Sequence, residues 1–190
     1  EKYGPGGVMI TTLTKAAAIE IASRCPGVER GHTGTLHSLC YRADGGRRTV
    51  LDAPRGIKIW NEWVCARQMP WLQLSGAQVD PDDPGERAEC GTAGDGFSER
   101  MNLLRHQMVD LDAWPPMVRS FAEQWVTCLD EVDAVDFTGM IEAGLRLDEA
   151  PGNPGVILAD EVQDFSRLEA AVLHRWAAGA ETTMMAGDAD

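Results

Sequence analysis

The residues best suited to chemistry are Asp160-Glu161-Val162-Gln163-Asp164, which directly follow the apolar run Val156-Ile157-Leu158-Ala159. In open α/β sheets, ligands bind at the carboxyl ends of the strands. One carboxylate there can hold Mg2+ through the ion's water shell, because Mg2+ keeps several waters and takes only one or two protein carboxylates. The adjacent one can accept a proton from a water attacking a γ-phosphate. A bare Asp-Glu pair is also a common acidic turn. Gln163, Asp164 and a second apolar run that ends in Ala186-Gly187-Asp188-Ala189-Asp190 weigh against that plain reading.

A second group of polar residues lies near the front: Thr12, Thr14, Thr35 and His37. Hydroxyls at a strand end or a helix N-terminus can bond phosphate oxygens. A histidine can stack on a base or hydrogen-bond to it. On residue type alone the threonines read as helix caps and strand formers.

Regular elements must position both groups. Val8–Thr12 is a β-branched apolar run behind a Gly/Pro turn and predicts a buried strand. Lys15–Arg24 is rich in Ala and Ile and ends before Pro26-Gly27, so it predicts a helix. Thr35–Arg42 predicts a second short helix, with Thr35 at its N-cap. Ile57–Gln68 places Ile59, Trp60, Trp63 and Val64 on one helical face. Ser75–Gly96 is rich in Gly, Pro and Asp and predicts an exposed loop or a disordered stretch. Phe97–Leu111 and Pro116–Leu129 predict two more amphipathic helices, with Pro116 at a helix start. Phe137–Leu147 predicts a helix, Val156–Ala159 a strand, Arg167–Ala178 a helix and Thr182–Ala186 a strand. Strand, helix, strand with short connections implies parallel strands in one sheet. The expected fold class is α/β. Residues 1–42 and 132–190 form its core, and residues 43–131 are a mainly helical insertion.

Composition sets limits. The chain has 190 residues, 44% hydrophobic and 25% charged, which is ordinary for a globular protein. No apolar run reaches the roughly 18 residues needed to span a membrane. The five cysteines are odd in number and form no C-x-x-C, so free thiols in a reducing cytoplasm are expected. Net charge is −13, which argues against a general polyanion binder. The charge is uneven, however. Lys15–Arg48 carries six basic residues against three acids, whereas Asp130–Asp190 carries fourteen acids against three arginines.

The motifs add a resemblance. Asp160-Glu161-Val162-Gln163-Asp164 resembles the D-E-x-Q-D form of the Walker B motif in UvrD/Rep-type superfamily 1 DNA helicases. Met185–Asp190 resembles the start of that family's next motif. Thr11–Ile21 resembles the strand-helix motif that touches single-stranded DNA, and Gly34–Leu39 resembles the T-x-H-S segment downstream of it. Asp136–Ile141 resembles the D-F-x-x-L-[IL] helix that precedes the Walker B strand. The matches fall in family order at both ends of the chain and leave residues 43–131 uncovered.

The resemblance implies part of a RecA-like P-loop NTPase domain with a parallel sheet, the first motor domain of an ATP-dependent helicase or translocase of 3′-to-5′ polarity. ATP and Mg2+ are the implied cofactors, and single-stranded DNA and a second motor domain the implied partners. Asp160 would hold the metal and, with Glu161, the nucleotide. Glu161 would be the base, and Gln163 would link the nucleotide to the DNA-contacting segments. Thr12, Thr14, Thr35 and His37 would lie along the DNA track, with Arg42, Arg47 and Arg48 adding attraction. Residues 43–131 occupy the place of the family's inserted helical subdomain.

One departure is plain: no G-x-x-x-x-G-K-[ST] phosphate loop occurs anywhere. Gly4-Pro5-Gly6-Gly7 has no following Lys-Thr and reads as a turn. The expectation is a piece of a longer protein whose phosphate loop lies before Glu1. Two other readings carry the same motifs. One is the motor of a recombination helicase-nuclease. The other is a non-catalytic DNA-binding or scaffolding remnant of the fold.

Overall fold

The computed structural model describes residues 3–51, 53–76 and 91–188. In chain order the elements are β1 (Val8–Thr12), α1 (Lys15–Arg24), β2 (Thr33–Thr35), α2 (Leu36–Ala43), β3 (Thr49–Val50), α3 (Ala53–Ala66), α4 (Ala93–His106), α5 (Pro116–Glu131), β4 (Ala134–Val135), α6 (Phe137–Leu145), β5 (Val156–Ala159), α7 (Arg167–Ala177) and β6 (Thr182–Met185). They group into two compact units, Glu1–Arg47 with Thr138–Asp190, and Arg48–Phe137.

The first unit is α/β. Its four strands run parallel in the order β2-β1-β5-β6. Met9, Ile10, Thr11 and Thr12 are all buried, as expected for a strand covered on both faces. Thr14 caps α1 by accepting from the Ala17 N–H at 3.2 Å, and Thr35 caps α2 by accepting from the Ser38 N–H at 3.3 Å. Helix α7 opens with a capping box in which Ser166 and Glu169 satisfy each other's backbone N–H groups. Met9, Leu39, Cys40, Ile141, Ile157, Val172 and Trp176 make up much of the core. A Cβ on Gly144 would overlap Cys40 Sγ, so only glycine lets α6 approach α2 this closely. The buried Trp176 indole donates to the carbonyl of that same Gly144 at 3.2 Å.

The second unit is mainly helical, with the two-stranded parallel pair β3–β4. Trp60 is its centre, with ring centroids 5.6 Å from Trp63, 5.0 Å from Phe121 and 5.2 Å from Trp125. Each indole N–H finds an acceptor. Trp60 donates to the Leu72 carbonyl, Trp63 to Glu131 and Trp125 to Asp136. Asp136 is buried and also takes a two-pronged bond from Arg105, at 2.7 and 3.1 Å. A buried carboxylate of this kind needs a paired cation, and Arg105 supplies one.

Several elements differ from the sequence reading. Residues 33–35 pair with β1 as β2, where a loop is expected between two helices. Thr49–Val50 and Ala134–Val135 are strands that the sequence does not announce. Helix α4 starts at Ala93 rather than Phe97, because Thr92 and Asp95 form a capping box ahead of the apolar face. Gly94, inside that first turn, has no room for a Cβ against the Leu72 and Gln73 carbonyls. Residues 77–90 of the expected loop lie outside the described residues. The helical unit spans Arg48–Phe137, where residues 43–131 are the expected insertion.

Candidate functional site

All four strands of the first unit run the same way, so their carboxyl ends share one edge of the sheet. In strand order that edge carries Thr35, Thr12, Asp160 and the segment after Met185. Neighbouring strands lie about 4.8 Å apart, so the whole row spans roughly 15 Å.

Asp160 follows β5, and its N–H donates to the Thr11 carbonyl at 2.9 Å, extending the ladder one residue past the strand. It is half-buried. Its carboxylate has no hydrogen bond or ion pair among the described residues. Glu161 is exposed and left-handed, at φ 57 and ψ 39. A non-glycine residue pays about 1–2 kcal/mol for that conformation, so the surroundings must impose it.

Two sets of contacts do so. The Val162 N–H donates to the Ala186 carbonyl at 3.1 Å, and Ala186 donates to Ala159 at 2.8 Å, which straps the loop to the end of β6. On the other side, Val162 and Phe165 pack on the core. A short 3-10 turn, Val162–Asp164, lies between them.

The Gln163 side-chain amide donates to Glu161 Oε2 at 2.7 Å and lies 3.5 Å from Asp164 Oδ2. Gly187 backs it. A Cβ there would overlap Gln163 Oε1 and crowd the Gln163 backbone nitrogen and the Val162 side chain. Glu161, Gln163 and Gly187 thus form one packed set.

The candidate metal ligand is Asp160, with Glu161 beside it as the candidate base. The hard oxygens and uncommitted carboxylate of Asp160 fit Mg2+, which takes one or two protein carboxylates and completes its shell with water and phosphate oxygens. Among the described residues, no group of three or more His, Cys, Asp or Glu is arranged to hold a metal by itself.

The front residues separate. Thr14 and Thr35 are accessible, their oxygens already accepting at the N-termini of α1 and α2. Each hydroxyl keeps its proton available to donate. His37, in the first turn of α2, is half-buried. Thr12 is different. It is 1% exposed, and its hydroxyl is buried without a hydrogen-bond partner among the described residues. It pairs in register with Thr35 and supports the edge from within rather than lining its surface.

Two of the three arginines expected to attract DNA are turned to internal tasks. Arg42 donates to the Gly31 and Thr33 carbonyls, with partial burial lowering its pKa, and Arg48 pairs with Asp130 at 3.3 Å.

Sequence reasoning missed Glu169. It is 5% exposed, and its Oε1 lies 3.8 Å from His37 Nδ1. The S-x-x-E spacing from Ser166 to Glu169 announces a capping box, but nothing in the sequence announces the histidine. No protein-family model matches the chain, and no curated protein is significantly similar to it.

Proposed function

We propose that this chain is part of the first motor domain of an ATP-dependent DNA helicase or translocase of the UvrD/Rep type, with a RecA-like fold in its α/β unit. The observation that carries the reading is the order of groups along one sheet edge. Two adjacent carboxylates end β5, with Gln163 locked between Glu161 and Gly187 on one side and the threonine-capped helices on the other.

In this reading Asp160 would hold Mg2+, which neutralises phosphate charge when bound. Glu161 takes the proton from the attacking water. Gln163 reports on that carboxylate through its hydrogen bond and passes the state of the loop to the β6 end. Thr14, Thr35 and His37 meet single-stranded DNA, and Thr12 braces their edge. Polarity is 3′-to-5′ by the same resemblance, the second motor domain closes the site, and the protein works in the cytoplasm. The helical unit Arg48–Phe137 takes the place of the family's inserted subdomain.

The 190 residues contain no G-x-x-x-x-G-K-[ST] phosphate loop to cradle a triphosphate. The chain alone is therefore expected to release no phosphate from ATP, with or without DNA. Joined to a phosphate loop ahead of it and a second motor domain after it, the same chain should show DNA-stimulated hydrolysis. Glu161→Gln should then keep nucleotide binding and lose turnover by at least about 100-fold. Wild-type turnover in that variant would remove Glu161 as the base. Turnover by the unextended chain, abolished by the same substitution, would show that the phosphate loop is dispensable and overturn the reading.

A further inference from the structure

We propose that Glu169 is the positioning residue for His37, a buried carboxylate that holds the imidazole in place and ties α2 to α7. The proposal rests on the reading above only in taking His37 as a contact for single-stranded DNA. The pairing itself rests on the geometry.

Glu169 is 5% exposed, which is unusual for a carboxylate. One oxygen is fully employed: Oε2 accepts from the Ser166 N–H at 2.9 Å and from Ser166 Oγ at 2.7 Å. The other oxygen, Oε1, faces His37 Nδ1 at 3.8 Å. Among the described residues this imidazole is the one basic group within 4 Å of the carboxylate. The distance is long for a direct hydrogen bond but lies within the reach of an ion pair, and a small ring rotation closes it.

A buried carboxylate must be compensated. The N-terminus of α7 supplies part of the compensation, because Glu169 sits in its first turn. A protonated His37 supplies the rest. Cys40 is the further titratable group beside the carboxylate. Burial, with the Glu169 charge adding to it, pushes its thiol up to about 12, so Cys40 stays neutral around physiological pH.

The pair joins two functional stretches. His37 lies two residues after Thr35, at the start of α2. Ser166 follows directly on the Asp160–Phe165 loop, so Glu169 anchors the first helical turn after the candidate carboxylates. A change in that loop reaches His37 through one side chain. By the same link the charge at the candidate DNA contact depends on Glu169.

The test uses the 190-residue chain and the variant Glu169→Gln. Glutamine can still complete the capping box, so chiefly the charge is removed. His32, His37, His106 and His174 are followed by NMR from pH 5 to 9. Losing an opposite charge at this range should move the His37 titration to lower pH by about one unit, with the other three unmoved. An unmoved His37 overturns the proposal.

Should Glu169→Gln fail to fold, His37→Gln gives an independent measure. The wild-type melting temperature should fall as pH rises through the His37 titration, and this variant should lose that fall. An identical pH dependence in the two proteins also overturns the pairing.

Binding of a fluorescent oligo-dT at low salt, across the same pH range, separates the pairing from the reading it rests on. Affinity should fall as His37 loses its proton, and the fall should shift to lower pH in Glu169→Gln. A shifted histidine titration with pH-independent binding supports the pair and removes His37 from the DNA track.

Discussion

Gln163 Nε2 donates to Glu161 Oε2 at 2.7 Å, so the amide occupies one oxygen of the candidate base while Gly187 closes off the space behind it. The contact depends on a missing atom, the Cβ of Gly187. Gly187→Ala should therefore swing the Gln163 side chain away and free Glu161. The displaced group is the end of an exposed, flexible side chain, so the stability cost should stay within about 0.5 kcal/mol. The structure of the variant, or the side-chain amide resonances of Gln163, reads the outcome directly. An undisturbed amide contact in Gly187→Ala would show that the brace is not steric.

A larger penalty belongs to Asp136. Its carboxylate accepts from both Arg105 and Trp125, and the Arg105 and Asp136 side chains are only 11% and 12% exposed. Asp136→Ala leaves a buried guanidinium and an indole N–H without their acceptor. Removing one partner of such a pair costs about 3–5 kcal/mol. Five of the six tryptophans (Trp60, Trp63, Trp71, Trp114 and Trp125) lie in the Arg48–Phe137 unit, so their fluorescence follows its unfolding in urea. A midpoint within error of wild type would contradict this account.

Acid should loosen the start of α4. Burial pushes the Asp95 carboxyl up, but hydrogen bonds from the Thr92 and Ser75 backbone and side chains more than reverse it, leaving it below its ordinary 3.8. The Trp63 indole likewise holds Glu131 below its ordinary 4.5; desolvation opposes it, and the Arg67 hydrogen bond and charge add to the lowering. For carboxyls lowered by folding, the stabilisation is complete above the unfolded value and is lost as pH falls through the folded one. The window is therefore below about pH 4. Fluorescence and helix content followed from pH 6 to 2 should show the loss, and Asp95→Asn should remove part of its pH dependence. An acid transition unchanged by that substitution would rule out Asp95 as a contributor.

How much of this was legible beforehand varies with the range of the interactions. Val156–Ala159 and Lys15–Arg24 declare themselves by local pattern, because burial and helix propensity act over a few residues. Thr35 and Thr14 read as caps for the same reason. Strand β2 does not, since three residues with a central glycine become a strand only through their register with β1. β3 and β4 are harder still, being two-residue strands that pair across most of the helical unit. The site shows the same division. The carboxylates are visible in the sequence. The left-handed Glu161, the Gly187 brace and the burial of Thr12 come from tertiary packing, and so does Glu169 facing His37.

The pairing of β3 with β4 has a consequence for surgery on the chain. These strands are where the polypeptide enters and leaves the helical unit, and they lie side by side, about 4.8 Å apart. Because the two strands run parallel, the chain enters at the amino end of β3 and leaves from the carboxyl end of β4, so entrance and exit lie on adjacent strands but at opposite ends of the pair. A module put in its place would need parallel terminal strands of its own, entered at one end and left at the other, rather than the paired ends of a hairpin.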